Sequence, residues 1–158
     1  MQLAQALDKT STAKSVLMNM HQRIDVAKQK VLAANRVNQM TLFGKFVGMG
    51  VGMRVYTDQS LPGALINQLG LLNGLNQGLP GRDFTHFQLS QLAQLQSLNL
   101  LYVGDLHKEG KKIVESPIWP LLPFVKEGRL YPVEQLWSFG GPVAAQRMAE
   151  AFAEALTE

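Results

Sequence analysis

Trp137 and Phe139 stand two residues apart in the run LWSFGGPVAAQRM, just ahead of a glycine pair and Pro142. If that stretch is extended, both rings point to the same side. Paired rings at such a junction either form a wall on which a ligand stacks or belong to ordinary core, and the residues alone leave both readings open. A second cluster, Arg82, Asp83, Phe84 and His86, puts a guanidinium, a carboxylate, a ring and an imidazole within five positions. It suits a polar ligand, and Asp83 with His86 is the one pair placed for general acid–base work. A third stretch, GMGVGM, carries Gly48, Gly50 and Gly52. Its GxGxG spacing, followed by the strand-like Arg54, Val55 and Tyr56, fails the dinucleotide fingerprint. It reads instead as a strand-to-strand loop whose bare backbone lets a ligand come close.

Other chemistry is sparse. His21, His86 and His107 are scattered; His21 and Asp25 share a helix face, but no third ligand is near, so no metal site and no cofactor are expected. The chain has no cysteine, no GxSxG elbow and no phosphate loop. Its net charge of +3 is unevenly placed. Residues 1–36 hold Lys9, Lys14, Arg23, Lys28, Lys30 and Arg36 against Asp8 and Asp25, so the basic character belongs to the N-terminal segment. A solvated helix face accounts for that better than a nucleic-acid groove.

The elements that must carry these residues follow from pattern. Residues 2–8 read as the end of a helix. Thr10 or Ser11 is placed to cap a long one, on which Ala13, Val16, Met20, Ile24, Ala27 and Val31 form a single apolar stripe. Strands are expected at 40–47, 54–56, 84–89, 98–103 and 129–133. Shorter helices are expected after Ser60, over 90–95 and over 107–115, and a final one over 142–156. Pro117, Pro120 and Pro123 restrict the stretch around Trp119 to short turns. At 158 residues, 46% of them hydrophobic, the chain is long enough for one sizeable core. Strands alternating with helices predict a three-layer α/β/α, Rossmann-like domain with a mostly parallel sheet. No apolar run approaches the length of a membrane span, and the start MQLAQALDK lacks the pattern of a secretory signal. The chain is thus expected to be either cytosolic or a piece of something longer.

The ordered set of segments resembles the C-terminal lobe of periplasmic substrate-binding proteins of iron–siderophore and cobalamin ABC importers, above all the ferric hydroxamate (ferrichrome) binders. RVYTDQSLPGALINQLGLLN resembles the strand, Ser-Leu helix and Leu-Gly turn of that lobe. LSQLAQLQSLNLLYVGD, SPIWPLLPFVKEGRLYPV and LWSFGGPVAAQRMAEAFAEAL resemble the segments that follow it. The helix at 10–35 is similar to the rigid connector between lobes. The resemblance implies that 1–36 are the end of an N-terminal lobe plus the connecting helix, and that 37–158 are the C-terminal α/β lobe.

The resemblance also implies a function. A ferric siderophore of hydroxamate type would be captured in an interlobe cleft in the periplasm and delivered to an inner-membrane ABC permease. It implies no catalysis, no nucleic acid and no direct protein ligand to the iron. Trp137 and Phe139 match the aromatic loop facing the siderophore, Arg82 or Phe84 a further wall, and the loop from Met49 to Met53 a third edge. On the Ser-Leu helix, relatives usually carry a carboxylate that docks onto the permease. Here Ala64, Asn67 and Gln68 are uncharged, leaving Asn67 as the docking candidate. Two rival readings remain beside this one: a small α/β enzyme using Asp83 and His86, and a helix-mediated interaction domain using residues 10–35.

Overall fold

The computed structural model describes residues 2, 5, 7–47, 52–75, 81–95, 98–134 and 140–158. Met49, Trp137 and Phe139 lie outside them.

Helix α1 (Thr10–Ala33) leads into strand β1 (Met40–Phe46), which pairs antiparallel with β2 (Gly52–Tyr56). Helix α2 (Leu61–Gln68) follows, then β3 (Leu72–Asn73) and β4 (Phe84–Gln88). Helix α3 (Leu89–Leu92) precedes β5 (Asn99–Val103). Then come α4 (Lys111–Val114), a 3-10 turn at Trp119–Leu121 and α5 (Pro123–Lys126). Strand β6 (Leu130–Pro132) and α6 (Pro142–Thr157) complete the order.

The sheet runs β4-β2-β1-β5-β6, with β3 also pairing with β1. The pairings of β1 with β3, β1 with β5 and β5 with β6 are parallel; those of β1 with β2 and β2 with β4 are antiparallel. The mostly parallel sheet expected from the alternation of elements is therefore present, with an antiparallel flank at one edge. Alternation along the strands sends side chains to two cores. On one face Phe43, Tyr56, Leu101 and Val103 meet Ile24, Ala27 and Val31 of α1, Leu65 and Ile66 of α2, and Met148, Phe152 and Leu156 of α6. On the other Leu42, Phe46, Met53, Val55, Leu100 and Tyr102 meet Leu89, Leu92, Ile113, Trp119, Leu122 and Phe124. Three layers result.

Local chemistry explains most boundaries. Ser60 caps α2: its Oγ accepts from the Gly63 N–H (3.1 Å) and donates to the Thr57 carbonyl (2.6 Å). Pro62 sits in the first turn, and Gly70, at φ +84°, ends the element. Three expectations are corrected. The N-cap of α1 is Lys9, and neither Thr10 nor Ser11 caps it; no side chain does. The helix expected over 107–115 forms only at 111–114. Asp105 holds the preceding turn open by accepting the His107 N–H at 2.7 Å. Asn73 opens the turn-rich stretch 73–83, whose composition predicts a loop, yet with Leu72 it forms a two-residue strand on β1.

Candidate functional site

In a sheet with parallel strands, ligands gather where the carboxyl ends of the strands open into loops. Here β1, β5 and β6 end together. The connection 47–51 leaves β1 there, Gly104–Asp105 leaves β5, and the connection from Val133 to the α6 cap Gly141 leaves β6. The topology therefore attaches the loops bearing Met49, Trp137 and Phe139 to one end of the sheet. The three side chains themselves lie outside the described residues.

Met53 is a correction. It is fully buried, and its terminal methyl fills the space that a side chain at Gly44 would take. It packs in the core with Phe46 and Val55 and offers no surface to a ligand.

Arg82 and Phe84 separate cleanly. Phe84 belongs to an aromatic ladder that climbs from α6 to the edge strand. Phe152 lies 4.9 Å from Phe43, Phe43 5.2 Å from Tyr56, Tyr56 6.1 Å from Phe84, and Phe84 5.8 Å from His86 between centroids. The Arg54 guanidinium covers the Phe84 ring at 4.2 Å. Phe84 is thus half-buried and already committed, whereas Arg82 is exposed. Arg82 lies in an open depression of about 400 Å³ lined by residues 81–86. Its backbone is fixed because the Thr57 hydroxyl donates to the Arg82 carbonyl at 2.7 Å and the Thr57 N–H to the Asp83 carbonyl at 3.0 Å.

Sequence reading missed a row of cationic and titratable groups. Register places Lys45 beside Arg54 and Arg54 beside His86, across three strands and on one face. Lys45 and Arg54 are half-buried, His86 is exposed, and none of the three makes an ion pair among the described residues. Arg54 Nε is buried with no hydrogen-bond partner. The signal was present as the polar positions of GKF, MRV and THF, but only pairing register aligns them. The row lies one to two residues from the loop end of β1, where it can donate to anionic or carbonyl oxygens.

The loop after β5 was also missed. Asp105 is held below the usual carboxylate range, first by the His107 N–H and also by Lys108, 3.6 Å away. Burial, and next the Asp105 charge, pushes the Tyr102 phenol up. Asp83 and His86 share no hydrogen bond or ion pair among the described residues, so the acid–base pair is not assembled. Asn67 is exposed on α2, though its Oδ1 accepts the Asn73 N–H at 3.4 Å. Among the described residues no three His, Asp or Glu side chains come together around a metal position, and no helix is long and apolar enough to cross a membrane.

No protein-family model matches the sequence. Among solved structures the chain is similar to the siderophore-binding protein FhuD from Vibrio cholerae, solved with Fe3+–Desferal. Identity is 28%, the TM-score 0.85, and the match covers 99% of this chain and 58% of that one. It is similar to a FhuD-fold periplasmic binding protein component of a ferrichrome ABC transporter from Bacillus subtilis (20% identity, TM-score 0.77, 99% and 61% covered). The triscatecholate siderophore-binding protein FeuA from Bacillus subtilis, complexed with ferri-bacillibactin, is a third (23%, 0.73, 98% and 56%). The fold is that of a lobe of these periplasmic binding proteins. The three named neighbours are binding proteins, not enzymes, and the chain spans under two thirds of the length of each.

Proposed function

We propose that this chain is the C-terminal lobe of a periplasmic receptor that captures a ferric siderophore of hydroxamate type between two lobes and delivers it to an inner-membrane ABC permease. The observation that carries the reading is the match of nearly the whole chain, at 28% identity, to a protein solved with a ferric hydroxamate. Residues 1–36 would be the tail of the other lobe and the connector, and 37–158 the lobe itself. Trp137 and Phe139 would supply the apolar wall, and Met49 one edge. Exposed Arg82, with the row Lys45, Arg54 and His86, would donate to the oxygens that surround the iron. The siderophore, not the protein, would ligate the metal. Asn67 would meet the permease through hydrogen bonds in place of a charge pair.

The test is tryptophan fluorescence of this chain joined to its other lobe. Trp119 is buried among Phe46 and Phe124, so the part of a change that disappears in Trp137→Ala reports Trp137. Saturable quenching by ferrioxamine or ferrichrome, lost in Trp137→Ala, is the expected result. Response to ferric enterobactin-type catecholates, cobalamin or haem alone would overturn the hydroxamate assignment.

A further inference from the structure

The opposite end of the sheet carries a second polar site. A depression of about 460 Å³ opens where β1, β5 and β6 begin, lined by Arg36, Asn38, Gln39, Met40, Leu72, Asn99 and Arg129. Its size is within the range of small-molecule pockets. Its floor is apolar, because Met40 and Leu72 are 40% and 49% exposed.

Its polar groups are fixed and underused. Asn99 is 2% exposed; its Nδ2 donates to Gln39 Oε1 at 2.9 Å, while its Oδ1 is buried without a partner. Arg129 hangs from a rigid corner: its N–H donates to the Phe124 carbonyl (2.8 Å), and its own carbonyl accepts the Leu100 N–H (2.9 Å). Its Nη2 lies 2.6 Å from Glu127 Oε2, but out of hydrogen-bond alignment, and its Nε has no acceptor. Arg36 leans on Tyr131, donating to its hydroxyl at 3.3 Å with the guanidinium 5.8 Å from the ring centroid. Two guanidiniums against one carboxylate leave one local positive charge uncompensated. A buried donor without an acceptor is costly unless something supplies one.

We infer that this pocket binds a small monocarboxylate with an apolar tail. The carboxylate would accept from the guanidiniums of Arg129 and Arg36, and the tail would cover Met40 and Leu72. A guanidinium fork recognises the planar carboxylate, and the apolar floor selects against small inorganic anions. The site is independent of the siderophore reading, since it lies at the other end of the sheet and shares no residue with it.

The test is NMR of the 15N-labelled chain titrated with hexanoate, hexanamide and inorganic phosphate. The expected result is saturable movement of the Arg129 Nε–H and Asn99 side-chain amide signals with hexanoate, at a dissociation constant of about 10 mM or below. R129Q and, separately, R36Q should weaken that binding by about ten-fold, each keeping the dispersed backbone spectrum of the parent. Equal response to hexanamide, equal response to phosphate, or no saturable response to hexanoate would overturn the assignment. So would unchanged binding in both folded variants.

Discussion

At the scale of single residues, the polar side chains of this chain act mostly by holding backbone. Ser60 shows it most compactly, accepting from Gly63 while donating to Thr57. The turn is tight: a Cβ on Gly63 would overlap the Thr57 carbonyl. Ser60→Ala is expected to cost about 1 kcal/mol, read as a lower midpoint in urea at unchanged slope. A variant as stable as the parent would show that the cap contributes nothing. Such residues were legible in sequence because a cap is a local event, complete within four positions. Arg54 was not, because its partners Phe84 and His86 come from a strand that register alone brings alongside. The burial of Met53 was equally hidden, since it depends on the empty position at Gly44 on the neighbouring strand.

At the scale of elements, α1 divides in two. Its stripe is continuous in sequence from Ala13 to Val31, yet only Ile24, Ala27 and Val31 are buried, while Val16 is 39% exposed. The C-terminal half packs against α6, and Arg23 pairs with Glu150 at 2.9 Å along the same seam. That pair is half exposed and adds little. Packing should dominate: Val31→Ala is expected to cost about 2 kcal/mol, whereas Val16→Ala should fall within about 0.5 kcal/mol of the parent. Equal costs would mean that the two halves are equally packed. Periodicity reports which face of a helix is apolar but not how far along its length a neighbour reaches, so the sequence showed the stripe and not its end. The helix expected over 107–115 is shorter than its pattern for a related reason. At 107–115 polar composition favours a helix, but the hydrogen bond from His107 to Asp105 fixes a competing turn.

At the scale of the whole molecule, the three-layer architecture was legible because buried runs such as LNLLYV announce a central strand. The antiparallel flank is not legible in the same way: the glycine run at 48–52 reads as a strand-to-strand loop, but nothing in it gives the direction of the pairing. Because Ile24, Ala27 and Val31 belong to the main core, α1 is one of the layers of the fold. A chain beginning at Val37 is therefore expected to lose its cooperative thermal transition. If it kept that transition and lost only a partner, the helix would be an interaction module instead.

Strand β1 is hydrogen-bonded along both edges, and its partners come from very different distances in the chain. β2 follows at once through a hairpin, whereas β5 must return from Asn99 to lie beside Thr41. Closing that long loop costs chain entropy before any contact repays it, so the hairpin forms early and the parallel pairing late. During synthesis one edge of β1 therefore waits bare until most of the chain has emerged, and in that interval the exposed strand can pair with a neighbouring chain.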